Sequence, residues 1–317
     1  MGDVLTIDTG YGGRERHTAA YLLPEGDRAA FIETNTNHAV PRLLEALRAT
    51  GRTPEQVEHV IITHVHLDHA GGAAALMRAC PNATLLAHPK AAKHAIDPSK
   101  LVKSARAVYG DDVFERLYGT IEPIPEERVR ILEDNETVDF GERRFRFLHT
   151  RGHANHHFCV LDEAHKHIFT GDAFGLVYPY LQRDGLFAIP STSPTDFDGP
   201  AAKASLDRIV ETGAERAYPT HFDAVTELGA IREQLHRWLD FSSALVEEAY
   251  ASDTPDEELD AQFLARVEEE FTSRLAGTSF ADDDVAWDLL RDDIDLNAQG
   301  LAFAVKKRRF KDQQAEG

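Results

Sequence analysis

Residues 64–69 read His-Val-His-Leu-Asp-His, directly behind the apolar run Val60-Ile61-Ile62. That run has the length and β-branched content of a buried strand. A strand that ends in four potential ligands presents them at the carboxyl end of a sheet, where open α/β architectures place their sites. In extended chain, side chains alternate, so His64 and His66 point the same way and two imidazoles can hold one cation. Gly71-Gly72 and the Ala-rich run after them predict a turn into a helix. Asp68 and His69, at that turn, are directed differently from the first pair. One loop can therefore supply ligands to two neighbouring cations. Imidazole nitrogen and carboxylate oxygen suit zinc, and also iron or manganese.

Three further stretches carry the same ligand types. Residues 149–157 read His-Thr-Arg-Gly-His-Ala-Asn-His-His, residues 170–174 Thr-Gly-Asp-Ala-Phe, and residues 218–222 Tyr-Pro-Thr-His-Phe. His-x-His-x-Asp-His, then Gly-His, then Gly-Asp, then a late Thr-His resembles the metallo-β-lactamase superfamily, in its glyoxalase-II and lactonase-like branch, over roughly residues 1–225. The resemblance implies an α/β fold, the four-layer αββα sandwich. It also implies two divalent metal ions, with zinc as the expected metal. The first is expected on His64, His66 and His153 and the second on Asp68, His69 and His221, with Asp172 bridging them. Two positions depart from the pattern: Phe222 stands where many relatives have Gly, and Arg151 where relatives often have Pro. Arg151 is expected either to alter the loop or to place a cation near an acidic substrate. His156 and His157, close to His153, read either as solvent-facing or strand residues or as a contact behind the ligands.

Composition bounds the partners. The 317 residues suffice for one full domain with its own core plus an accessory region. Formal net charge is −20. Surfaces that bind polyanions are usually basic, so nucleic acid is not the expected substrate. The acidity is concentrated late: residues 251–300 hold fifteen Asp or Glu against three Arg. Lys306-Lys307-Arg308-Arg309-Phe310-Lys311 then reverses the sign and reads as a solvated helix end, where cations are favourable. No stretch approaches the roughly 18 uninterrupted apolar residues of a membrane span. Met1-Gly2-Asp3-Val4-Leu5 has no basic segment followed by an apolar core, so no signal peptide is expected. Two cysteines, Cys80 and Cys159, with no Cys-x-x-Cys, fit a reducing cytoplasm rather than a disulfide framework. A homodimer is a reasonable expectation for such an enzyme.

The chain reads as a catalytic domain over 1–225 and a helical extension over 226–317. Strand character lies at 4–7, 18–23, 31–34, 60–63 and 84–88, then at 129–132, 137–140, 143–149, 157–162, 167–171 and 216–219. Helices are predicted at 39–50, 71–79 and 200–212. Residues 89–120 read as mostly helical and carry Lys90, Lys93, Lys100, Lys103 and Arg106, a pointer to an anionic substrate. Residues 175–199, rich in Gly, Pro, Ser and Thr, form a long loop right after Asp172, and such loops are often functional. In the extension, helices are predicted at 226–250, from the Thr254-Pro255 cap to about 275, at 282–296 and at 299–309.

The expected chemistry is hydrolysis of an ester-like bond of a small molecule, whether thioester, lactone, ester or amide. Two cations roughly 3.5–4 Å apart lower the pKa of a water toward neutrality and polarise the scissile carbonyl. Asp68 is then both ligand and proton acceptor, and Tyr178 or Tyr180 is the candidate donor to substrate. Two other classes stay open. One is a diiron protein handling oxygen or nitric oxide, although flavodiiron relatives usually carry Glu where His66 stands, together with a flavodoxin domain. The other is a regulatory or binding protein that keeps the metals without turnover.

Overall fold

The computed structural model describes residues 4–192 and 196–316. Residues 193–195 of the expected 175–199 loop and residues 1–3 of the amino-terminal reading lie outside the described residues, as does Gly317. The chain divides into two compact units. The first is Met1–Thr150, His156–Gly171 and Glu211–Thr226; the second is Arg151–Asn155, Asp172–Val210 and Glu227–Gly317.

The first unit holds both sheets. Strands β1 (Leu5–Asp8), β2 (Ala19–Glu25), β3 (Arg28–Ile32), β4 (Val57–Ile61), β5 (Thr84–Ala87) and β6 (Val129–Ile131) lie side by side in sequence order. The β1–β2 and β2–β3 pairs are antiparallel, and the pairs from β3 to β6 are parallel. Helices α1 (Val40–Ala49), α2 (Leu67–Ala70), α3 (Ala73–Ala79), α4 (Pro89–Ile96), α5 (Ser99–Tyr109) and α6 (Asp111–Tyr118) fall in the connections. The second sheet runs β11-β10-β9-β8-β7, made of β7 (Thr137–Phe140), β8 (Arg143–His149), β9 (Phe158–Asp162), β10 (His167–Gly171) and β11 (Arg216–Pro219). It is antiparallel except for the parallel β10–β11 pair.

Alternation along the strands explains the layering. Tyr21, Leu23, Ile32, Ile61 and Leu86 of the first sheet pack in one cluster with Phe145, Phe147, Phe158, Val160 and Phe169 of the second. Each buried aromatic ring of this kind contributes about 1.5–3 kcal/mol relative to exposure. Leu22, Phe31, Val60 and Leu85, on the opposite face of the first sheet, meet Leu43, Leu47, Leu76, Met77 and Ala91 of its helices. The interior also holds a charged pair. Arg143 Nη1 donates to Asp162 Oδ2 at 2.5 Å, both side chains are buried, and Glu25 Oε2 lies 3.3 Å from Arg143 Nε.

The second unit contains α7 (Gly199–Glu211), α8 (Leu228–Ala251), α9 (Leu259–Leu275) and α10 (Asp284–Glu316). Trp238, Leu245, Phe263, Phe271, Leu290 and Leu301 form its core. Two sequence expectations are corrected here. The predicted helices at 282–296 and 299–309 are one helix, because Ala298, Leu301, Ala302 and Val305 continue the buried stripe through Gly300. Helix α9 starts at Leu259 rather than behind Thr254. Thr254 instead takes part in a local turn with Ser252, and its carbonyl accepts from Arg309 Nη1 at 2.7 Å. The basic run of α10 is absorbed within the unit: Lys306 pairs with Asp260, Arg308 with Glu247 and Arg309 with Asp256. Among the described residues no helix is long and apolar enough to cross a membrane.

Candidate metal centre

In the first unit the ligand loop follows β4, and His64 and His69 are buried. Two turns of chain set its shape: Ala70 N donates to His66 O at 2.9 Å and Gly71 N to Leu67 O at 3.0 Å. A neighbouring loop braces it, with Asn35 Nδ2 donating to Asp68 O at 2.8 Å. The rings of His64 and His66 stand edge to face with centroids 4.4 Å apart. The motif after β11 arrives from the other sheet. Ala19 N holds Thr220 O at 2.8 Å, and His221 follows. His221 Nε2 lies 3.2 Å and His69 Nε2 3.5 Å from Asp68 Oδ2. The ligand atoms of Asp68, His69 and His221 lie within 4.8 Å of one another.

These three residues fit a divalent cation by their chemistry: two imidazole nitrogens and one carboxylate oxygen converge where ligands of zinc, iron or manganese are found. The residues behind them fix which nitrogen points inward. Glu33, 1% exposed, has its carboxylate 3.4 Å from His69 Nδ1. It also accepts from the hydroxyl of Thr63. With its proton given to Glu33, Thr63 Oγ1 is left to accept from His64 Nδ1 at 3.1 Å. One buried carboxylate thus lies against His69 Nδ1 and holds Thr63, whose hydroxyl in turn orients His64 so that its Nε2 is left for a cation. Glu33 holds φ at 66°, an uncommon conformation for a residue other than glycine. Gly171 comes equally close: a Cβ there would sit 2.4 Å from Thr63 Oγ1 and 2.5 Å from His157 Nε2.

The flanking histidines divide. His157 is fully buried, with its Nδ1 2.8 Å from Thr150 Oγ1, and is part of the interior. His156 faces the ligand rings, 5.4 Å from His66 and 5.9 Å from His64. His17, not singled out in the sequence, meets His221 edge on at 5.6 Å. Burial, with His221 and Arg14 adding to it, pushes His17 down to about 3.

The second unit holds the other two expected ligands. His153 Nε2 lies 3.6 Å from Asp172 Oδ2, and both residues are buried. His153 Nδ1 donates to Ser191 O at 3.0 Å, which again leaves Nε2 directed at the carboxylate. Ser191 is held from α10: Asn297 Oδ1 accepts from Thr192 N at 2.6 Å, and Asn297 Nδ2 donates to Pro190 O at 3.1 Å. Arg151 does not project freely. Its carbonyl accepts from Ser205 Oγ at 2.6 Å and its Nε donates to Asn155 Oδ1 at 3.1 Å.

The two expected tyrosines, Tyr178 and Tyr180, both belong to the second unit. Tyr178 is 1% exposed, in the cluster with Trp238 and Leu245. Tyr180 donates its hydroxyl proton to Asp283 Oδ2 at 2.8 Å, and the Arg183 guanidinium lies 4.0 Å over its ring. Sequence reasoning missed Glu33, Thr63 and Asn297. A glutamate closing the apolar run Phe31-Ile32 was the one available signal, since an acid at the end of a buried strand needs a partner. Asn297 had none, being more than a hundred residues from the loop it holds.

Residues 4–221 match the family model of the metallo-β-lactamase superfamily. A metallo-β-lactamase fold-containing protein, ST1585 of Sulfurisphaera tokodaii, is 32% identical over 161 residues, 50% of this chain and 57% of that one. The chain therefore spans little more than half the length of that relative in the match. The acyl-coenzyme A thioesterase MBLAC2 of Gallus gallus is 26% identical over 231 residues, 69% of this chain and 68% of that one. Among solved structures, the superfamily protein TTHA1429 of Thermus thermophilus superposes with TM-score 0.66 at 20% identity, covering 98% of this chain and 94% of that one. The crystal structure of ST1585 gives 0.65 at 23% identity, with 95% and 98% covered. These likenesses match the two sheets and their helices to the αββα sandwich. On the family match and the fold together, the chain belongs to the metallo-β-lactamase superfamily.

Proposed function

We propose that the chain is a dinuclear metal-dependent hydrolase acting on an ester-like bond of a small molecule, with thioester, lactone and ester as the candidate bonds. The convergence of Asp68, His69 and His221, with both imidazoles presenting Nε2 to the Asp68 carboxylate, carries this reading. His64, His66 and His153 would hold the first metal, Asp68, His69 and His221 the second, and Asp172 would bridge them. Family membership supports the assignment, as do the contacts of Glu33 with His69, Thr63 with His64 and Ser191 with His153. The relative named as an acyl-coenzyme A thioesterase supports the thioester among the candidate bonds.

When bound, a pair of divalent cations lowers the pKa of water and polarises a carbonyl. The chain's own residues do the rest. Glu33 and Thr63 fix the rings of His69 and His64 so that little reorganisation accompanies ligation. Asp68 Oδ2, flanked by two imidazoles, is the acceptor placed to take a proton from the attacking water. No step is assigned to Tyr178, which is packed in the second unit's core, or to Tyr180, whose hydroxyl proton is committed to Asp283.

A panel of acyl thioesters, lactones and aryl esters, each assayed with and without chelator, tests this function. Turnover on at least one class, abolished by chelation and restored by zinc, iron or manganese, is expected. Metal-replete protein that turns over none of them, or turnover indifferent to chelator, overturns it.

A further inference from the structure

The first unit has an open cleft of about 260 Å³ beside the ligand loop. Its floor is the turn Gly10-Tyr11-Gly12-Gly13 behind β1, and its walls are Asn35–Thr36 behind β3 and Arg116–Leu117 on α6. Gly12 and Gly13 have φ of 61° and 80°, and a Cβ on either would meet nothing within 4 Å. Glycine is needed there for the backbone conformation rather than for room, and the space over the turn is open.

Two contacts tie this cleft to Asp68 and His221. Asn35, on one wall, donates to Asp68 O at 2.8 Å. Tyr11, on the floor, stacks on His17 at 6.1 Å, and His17 meets His221. The wall from α6 is pinned. Asn37 Nδ2 donates to Thr120 O at 2.7 Å, His38 Nε2 donates to Arg116 O at 3.2 Å, and the hydroxyls of Tyr11 and Tyr118 are 2.8 Å apart.

The charge of the lining is the decisive feature. In a chain of net −20, none of the residues lining the cleft is acidic, and Arg116 is among them. Its neighbour Arg106 is neutralised by Asp111 and Glu115. Arg116 makes no ion pair with any of the described residues. A guanidinium left without a carboxylate, in a cleft cleared of acids beside a candidate hydrolytic site, suits an anion.

Resting on the hydrolase reading, we infer that the cleft seats the anionic end of the substrate, a carboxylate or phosphate, with Arg116 as the group that selects it. Arg116 touches neither the scissile bond nor a ligand, so its work shows in KM and not in kcat.

The test compares mono-4-nitrophenyl succinate with its methyl ester on metal-replete enzyme. The free acid is expected to show the lower KM. Arg116→Gln should raise that KM about tenfold, as loss of one charge-assisted hydrogen bond implies, with kcat unchanged and the methyl ester unaffected. Arg116→Lys should recover part of the preference. Equal losses on acid and ester would make Arg116 merely structural and overturn the proposal. Calorimetric titration of wild type and Arg116→Gln with succinate, and separately with inorganic phosphate, reads the cleft without turnover. The anion whose affinity falls in the variant identifies the end group. If neither falls, the cleft proposal is wrong. If wild type hydrolyses neither ester, nor any thioester or lactone of the panel, while Arg116-dependent binding persists, the hydrolase reading fails and the cleft stands.

Discussion

Asn297 and Thr192 are joined twice through one side-chain oxygen: Asn297 Oδ1 accepts from Thr192 N at 2.6 Å and from Thr192 Oγ1 at 2.8 Å. With Asn297 Nδ2 on Pro190 O, the C-terminal helix clasps the residues on both sides of Ser191, whose carbonyl receives His153 Nδ1. A helix far along the chain thereby sets the ring of a proposed ligand. Asn297→Ala should weaken metal affinity about 10- to 100-fold, as loss of a group orienting a ligand typically does. Titration against a chromophoric chelator, with circular dichroism to confirm intact helices, checks this. Wild-type affinity in a folded variant would show that the clasp has no bearing on the metal.

Glu33→Gln keeps the size of a buried side chain but removes the charge beside His69 Nδ1. It also blurs the acceptor that orders Thr63 and, through it, His64. Metal affinity is expected to fall by about one to two orders of magnitude, with the variant still folded. Equal affinities for the Glu33→Gln variant and wild type in the same chelator competition would dismiss the orienting role.

How much of this was legible depended on distance along the chain. His64, His66, Asp68 and His69 could be read because six consecutive residues and a strand period decide where they point. His153, Asp172 and His221 came through the resemblance, since nothing within their own short stretches marks them as ligands. Glu33 could have been suspected from an acid at the end of an apolar run, but its service to two histidines depends on Thr63 and on the left-handed turn it occupies. Tyr180 was placed on a loop that looked functional. Nothing local says that Asp283, a hundred residues on, takes its hydroxyl proton. The basic residues of 89–120 were read as a group, yet pairing decides which of them is available: Arg106 is neutralised, and the overlooked Arg116 is not. The last helix was read as two pieces, 282–296 and 299–309; it is one, and burial of the stripe on either side of Gly300 outweighs the roughly 1 kcal/mol that glycine costs inside a helix.

The buried pair of Arg143 and Asp162 offers a stability test away from the site. Arg143→Met leaves Asp162, which is 0% exposed, without its guanidinium, at a cost of about 3–5 kcal/mol. Replacing Asp162 by Leu in the same protein should return much of that loss, because no uncompensated charge remains. Denaturant unfolding of the two variants decides it. A single variant within about 1 kcal/mol of wild type would mean that the buried Asp162 does not depend on the Arg143 guanidinium.

His88 gives the pH dependence a sign. Its Nδ1 accepts from Lys90 N at 3.0 Å to cap α4, and its ring lies 4.2 Å from that of His149. Burial, with His149 and His156 adding to it, pushes its pKa from 6.5 down to about 3. The folded protein keeps this ring neutral while the unfolded chain protonates it below 6.5. Its contribution is therefore complete above that pH and is lost as the pH falls from 6.5 toward 3. Thermal unfolding followed across that window should show a declining midpoint, and His88→Gln should flatten the decline. An identical slope in the variant would assign the acid sensitivity to other groups.

Metal content decides whether the two proposed ligand sets hold two cations. Elemental analysis of metal-replete protein should find about two transition-metal ions per chain, and Asp172→Ala, which removes the proposed bridge, should hold no more than about one. A fully loaded wild-type sample without transition metal, or an Asp172→Ala protein with undiminished metal content, would contradict the account.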